Sequence, residues 1–203
     1  GGPCLMSHPP TPFHAFTIKY NGRTNRIVTE VTIFPAFDLT TPDAEAPAGH
    51  TTSGLWDTGA TMSLITPQVV NRLKLSPVGT ATLSHVAGSG ICNTYMINLR
   101  LPNGVLVGGV VAAEGVLGND AEAIIGMDVI NQSDFAITNV DGQSRMSFRH
   151  PSLAIIDYVA DANQINFAGA KRNAPCPCGK KDKNGNSVKY KDCHWPIVRQ
   201  QAK

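Results

Sequence analysis

The 203-residue chain is 42% hydrophobic and 16% charged, a balance that supplies a packed core and excludes a globally disordered protein. No apolar run reaches the length of a membrane span, and Gly1-Gly2-Pro3-Cys4 lacks the basic-then-apolar order of an export signal. A cytoplasmic protein with no membrane partner is therefore expected. Net charge is +2, but residues 171–203 hold nine of the 17 Lys/Arg and two of the 15 Asp/Glu, which leaves a basic tail at +7 and a body at −5.

In chain order, residues 13–20 and 24–34 flank Asn21-Gly22, which supplies the positive φ of a tight turn, so they predict a hairpin. The stretch 35–50, with Pro35, Pro42, Pro47 and Gly49, predicts a surface loop. Residues 51–56 predict a short strand leading into Asp57. A helical turn is predicted over 66–73, with Thr66 as N-cap and Pro67 in the first position. Residues 79–86 and 91–101 predict a long hairpin whose tip is Ala87-Gly88-Ser89-Gly90, and Pro102-Asn103-Gly104 a further turn. The β-branched run 105–113 predicts a buried strand, 123–126 another, and 127–132 the start of a helix. Residues 135–140 and 144–149 predict a third hairpin through Asp141-Gly142. Short strands at this density predict a mainly β domain over 1–151, a barrel or sandwich with short helices. Leu153, Ile156, Val159, Ala160 and Ile165 have rough helical spacing and predict a connector over 152–172. No internal repeat is present.

Leu55-Trp56-Asp57-Thr58-Gly59-Ala60-Thr61-Met62-Ser63 is the most informative stretch. An Asp that follows an apolar strand and precedes a small hydroxyl residue and Gly sets a carboxylate on a tight turn. Backbone N–H groups approach it closely because Gly59 has no side chain. Peptide hydrolysis needs two carboxylates sharing one proton, one to activate water and one to polarise the carbonyl. The chain holds no second Asp-Thr-Gly or Asp-Ser-Gly, so the second carboxylate is expected from another copy, with Asp57 meeting Asp57 across the axis of a homodimer.

This stretch resembles the active-site turn of retropepsins, the single-lobed aspartic peptidases that dimerise. Ile124-Ile125-Gly126 resembles the family's second signature, an apolar-apolar-Gly strand that packs beside the catalytic loop, and Gly88-Ser89-Gly90 lies where the family places a substrate-covering flap. The resemblance spans residues 13–150 and implies a retropepsin-like acid-protease β-barrel that hydrolyses a peptide or protein substrate with no cofactor in catalysis. It implies that Asp57 is the acid/base, that Thr58 braces the two loops across the axis, and that Gly59 lets the backbone approach substrate. Ala60, Val86, Ala87, Gly88, Ser89, Gly90, Ile125 and Gly126 would contact the peptide. Thr61 and Met62 depart from the acidic residues that viral relatives carry there, and the 35–50 loop is long for the family. The alternative is a retropepsin-like module that binds peptides without cleaving them.

Cys176 and Cys178, in Cys-Pro-Cys-Gly, and Cys193-His194 form a second constellation within 173–203. Three thiolates and an imidazole complete a tetrahedral Zn²⁺ set with no position left for water, so the site is structural. The pattern resembles the SEC-C motif, the small zinc module at the end of the bacterial preprotein translocase motor. That resemblance leans bacterial and implies docking, here to a protein or ribosome surface through the basic face; specific nucleic-acid recognition is not expected. Fourteen residues separate Cys178 from Cys193, more than the motif usually has, and Asn184-Gly185 predicts a turn that absorbs the excess. Of the remaining tempting residues, Cys92 and Trp56 are expected to pack, His85 to be a surface histidine, Asp128 to cap the short helix or brace the dimer, and Cys4 to lie in a mobile leader.

Overall fold

The computed structural model describes residues 14–40, 46–85, 88–118, 121–159, 161, 167 and 169–196, with Ser84 and His85 described by backbone alone. The predicted contacts of Cys4, Val86 and Ala87, and the side chain of His85, lie outside the described residues. The chain divides into two compact units, Gly1–Leu153 and Ala154–Lys203. Among the described residues no helix is long and apolar enough to cross a membrane.

The first unit is mainly β. Its strands are β1 (His14–Lys19), β2 (Ile27–Pro35), β3 (His50–Trp56), β4 (Leu64–Ile65), β5 (Gly79–His85), β6 (Gly88–Arg100), β7 (Leu106–Glu114), β8 (Ala123–Ile125), β9 (Asp134–Thr138) and β10 (Arg145–His150). Two short helices, α1 (Pro67–Leu73) and α2 (Met127–Ile130), interrupt them. One sheet runs β2-β3-β8-β4-β7-β6-β5, and a further pairing of β2 with β6 closes its first six strands into a barrel. The β5 strand stays outside the ring as the outer half of a hairpin with β6. The other sheet is β1-β10-β9. Closure leaves few free strand edges, which is how an all-β chain avoids pairing with strangers.

The core follows the two-residue period of the strands. Val31 and Ile33 of β2, Ile97 and Leu99 of β6 and Ile125 of β8 are almost fully buried, with Val69 and Val129 of the helices packed on them. An aromatic group fills the space between the sheets. Trp56 lies 5.2 Å from Phe148, 5.5 Å from Phe135 and 6.3 Å from Phe16 between ring centroids, and its indole N–H donates to Thr29 Oγ1 at 2.9 Å. The residue just before Asp57 is thus a core anchor.

Two sequence expectations are corrected. The hairpin predicted across Asn21-Gly22 does not form: β1 pairs with β10, Phe16 opposite Phe148 and Ile18 opposite Met146, while β2 pairs with β3 and β6. The turn itself is present, with Gly22 at φ 91°, but it bonds to Ser144, which accepts from the Tyr20 N–H and donates its own to the Gly22 carbonyl. The predicted hairpin tip at 87–90 is displaced. His85 pairs with Gly88, so Gly88-Ser89-Gly90 belongs to strand β6, and residues 86 and 87 lie outside the described residues. Thr66 takes the N-cap position of α1, but its side chain makes no capping bond. The hairpin through Asp141-Gly142, the turn at Pro102–Gly104 and the strands over β3, β7 and β8 stand as predicted.

Candidate active site and candidate metal centre

Asp57 emerges from β3 where that strand runs parallel to β8, Leu55 beside Ile124 and Trp56 beside Ile125. The Asp57 N–H donates to the Ile125 carbonyl at 3.0 Å, extending the pairing one residue. Glu122, just ahead of β8, clasps the far end of the pair. Its carboxylate accepts from Thr52 Oγ1 and His50 Nε2, each at 2.7 Å, and these bonds, Thr52 first, hold it below the usual carboxylate range.

Beyond Asp57 the chain turns tightly. The Gly59 N–H donates to Asp57 Oδ1 at 2.8 Å, and the Ala60 N–H donates to the Asp57 carbonyl at 3.2 Å. The loop is then locked from behind. Asp128, on α2, accepts from the Ser63 N–H (2.9 Å) and Oγ (2.8 Å), Ser63 Oγ accepts from the Gly126 N–H (3.1 Å), and the Met127 N–H donates to the Ala60 carbonyl (2.8 Å). A Cβ on Gly126 would sit 2.6 Å from the Met62 carbonyl carbon, so this contact requires glycine. Asp57 is half-buried, while Thr58 and Gly59 are exposed. Asp128, expected to cap a helix or brace a dimer, braces the loop within the chain and also accepts from the Val129 N–H at 3.0 Å.

A cleft of about 880 Å³ opens in front of Asp57. The Asp57 loop forms one wall, Leu83, Gly90 and Ile91 of the β5–β6 hairpin another, and Val116 and Ile124 a third. Ile91 is 80% and Val116 91% exposed, an apolar mouth of the kind that marks a binding surface. Of the residues singled out for peptide contact, Ala60 and Gly90 line this cleft. Gly88 and Ser89 are exposed on β6 outside it, Gly126 packs beneath the loop, and Ile125 is fully buried because alternation along β8 turns Ile124 to the cleft instead. Glu114, Leu64 and Leu83, which line it, carried no signal in the sequence. Cys92 is half-buried at its edge and its thiol lies 3.5 Å from the Ala81 carbonyl.

In the second unit, Cys176 Sγ, Cys178 Sγ, Cys193 Sγ and one His194 ring nitrogen lie within 4.8 Å of one another. Individual separations are 3.4 Å (Cys176 to His194 Nδ1), 3.6 Å (Cys178 to Cys193) and 3.2 Å (Cys193 to His194 Nδ1). Tetrahedral sulfur and nitrogen donors on one zinc ion would be roughly 3.5–3.8 Å apart, so the group fits such an ion. Burial, then contact with Cys178 and Cys176, pushes the Cys193 thiol up to about 12. Burial also raises Cys178, but the Lys180 backbone and the neighbouring thiols outweigh it and leave that thiol lowered. The long spacer folds out of the way: Lys181 bridges Ser187, and the Asp182 carboxylate accepts from the Asn184 and Asn186 N–H groups around Gly185. Tyr190 stacks on Phe167 and meets Trp195 edge-on.

No protein-family model matches the sequence, and no curated protein does. Among solved structures, the chain is similar to a retropepsin-like aspartic protease from Rickettsia conorii, at 13% identity and a TM-score of 0.39, covering 68% of this chain and 96% of that one. It is also similar to a foamy viral protease-reverse transcriptase in complex with an RNA/DNA hybrid, at 20% identity and a TM-score of 0.32, where half of this chain spans 12% of the other.

Proposed function

We propose that the chain is an aspartic endopeptidase that works as a homodimer. The observation that carries this reading is the Asp57 turn, which is fixed by the Ile125 carbonyl and the Gly59 N–H and opens on an apolar cleft beside a hairpin. One carboxylate cannot both deprotonate water and protonate a carbonyl. In the dimer, Asp57 and the partner's Asp57 share one proton. The ionised carboxylate takes a proton from water as its oxygen attacks the peptide carbonyl carbon, and the protonated one gives its proton to the carbonyl oxygen. The tetrahedral intermediate collapses as a proton passes to the leaving nitrogen. Mildly acidic pH should suit the pair, because one member must hold a proton. Thr58, exposed beside Asp57, is free to reach across the axis. Apolar side chains also stand exposed where the second unit begins, with Ile155 at 96% and Val159 at 70%, surface that a second copy would bury.

In this reading Cys176, Cys178, Cys193 and His194 hold a structural zinc ion. The basic tail docks the peptidase to a protein or ribosome surface. The second reading, a peptide-binding module, keeps the cleft and drops the chemistry.

The test is cleavage of a peptide library at pH 4 to 7, using native chain progressively mixed with Asp57→Asn chain after dissociation and reassociation. If both carboxylates are required, activity falls as the square of the native fraction, and pure Asp57→Asn is inactive. A linear fall would refute the shared site, and cleavage by pure Asp57→Asn would refute the aspartic mechanism. Peptide binding by both chains with turnover by neither would establish the binding module.

A further inference from the structure

Resting on the peptidase reading above, we propose that Glu114 selects substrates carrying a basic side chain, Lys or Arg, at one position in the cleft beside Asp57. Among the described lining residues, Asp57 and Glu114 are the only charged ones, and no cation is present. The rest of the lining is uncharged, with Thr61 and Thr82 supplying its hydroxyls, and a carboxylate there needs a reason, because desolvating it is costly unless it finds a partner. Among the described residues Glu114 has a neutral partner: the Tyr95 hydroxyl donates to its Oε2 at 2.6 Å. Neither ion pair found among the described residues includes it.

The carboxylate is held in place. Tyr95 lies opposite Ala112 in the β6–β7 register, so its ring projects on the side where Glu114 stands two residues on. That ring is only 4% exposed, and the bond to Glu114, followed by burial, raises the phenol above its ordinary range and keeps it a donor. The next residue fixes the backbone. Gly115 donates its N–H to the Ile65 carbonyl at 3.0 Å, and a Cβ there would lie 2.7 Å from Leu64 Cδ2. A carboxylate offers about four acceptor sites, of which Tyr95 takes one. The neighbouring walls, Leu64, Leu83, Ile91 and Val116, suit the methylene stem of a long basic side chain, whose head group then reaches the charge.

The test uses the full-length zinc-loaded protein near neutral pH and peptides with Lys, norleucine or Glu placed at each position in turn. Each series is made cleavable, for kcat/KM, and with a statine replacing the scissile unit, for binding. Native chain should prefer Lys over norleucine by about 10- to 100-fold at one position, the scale of a hydrogen bond to a charged group. Glu114→Gln, which can still accept from Tyr95, should bring the Lys-to-norleucine ratio at that position down to about one, and Glu114→Lys should reverse the preference toward Glu. Equal use of Lys and norleucine by the native chain overturns the inference and leaves the peptidase reading intact. A Lys preference in binding that Glu114→Gln abolishes, without cleavage dependent on Asp57, upholds the inference and overturns the peptidase reading. A folded protein that neither binds nor cleaves any series overturns both.

Discussion

Gly126 shows how a single position couples stability to the candidate chemistry. Its backbone is ordinary extended chain, φ −90° and ψ −173°, so conformational freedom does not explain it. Space does, because the Met62 carbonyl occupies the volume of a side chain. Gly126→Ala must push back the loop that carries Asp57, at an expected cost of about 1–3 kcal/mol for overpacking. Thermal melting would read that cost. The kcat/KM for peptide cleavage should fall further than the lost stability accounts for, since the displaced loop is the one that sets Asp57. Unchanged kcat/KM in a destabilised but folded variant would show that the loop relaxes without moving the carboxylate. At this scale the sequence was legible where a motif is contiguous: the Asp57 turn and Ile124-Ile125-Gly126 meet as the family resemblance implies. It was opaque where one bond joins residues far apart. Nothing in the chain announces that Ser63 and Asp128 share two hydrogen bonds, or that Tyr95 holds Glu114.

At the scale of elements, periodicity located most strands but not their partners. The residues of β1 and β2 are extended as their sequence predicts, and the Asn21-Gly22 turn is present, yet β1 is claimed by β10. The pairing sets Phe16 opposite Phe148 and Ile18 opposite Met146, with Phe16, Phe148 and Met146 all buried, while β2 pairs with both β3 and β6 to close the barrel. Long-range burial outweighed turn chemistry, and no local pattern encodes that competition. The β9–β10 pair carries a second consequence. Asp134 at the start of β9 accepts from Ser152 Oγ at 2.6 Å, from the Leu153 N–H at 3.0 Å and from Arg149 on β10, and these bonds, Ser152 first, hold its carboxyl well below its ordinary value of 3.8. A carboxyl depressed in the folded state stabilises the protein above its unfolded pKa and loses that contribution as pH falls toward the folded one. The melting temperature should therefore drop below about pH 4, and Asp134→Asn should melt lower at neutral pH while losing less on acidification. Parallel pH profiles for the two proteins would mean that this clasp contributes nothing to stability. In the mildly acidic range suited to a shared-proton pair, the clasp remains ionised, so the barrel keeps it under working conditions.

At the scale of the whole molecule, the two units are stabilised by different physics. The first has a broad apolar core. In the second, Cys176 and Tyr190 are the only buried apolar residues among those described, and a segment that small cannot bury enough surface to fold on hydrophobic burial alone. The Cys/His group was legible in the sequence because its four members here lie within one short stretch, Cys176 to His194. Metal binding should then supply most of the second unit's folding free energy. Adding a chelator to zinc-loaded protein should expose 173–196 to proteolysis and remove the near-ultraviolet signal of Tyr190 and Trp195. Residues 14–153 should keep their protection, and the cleavage of short peptides should continue. Cys193→Ser should resemble the chelated state without chelator. If the tail instead stays protected after the metal is shown to have left, the packing of Phe167, Tyr190 and Trp195 on one another is sufficient to hold it. If peptide cleavage is lost together with the metal, the zinc unit contributes to the active assembly itself and not to docking alone.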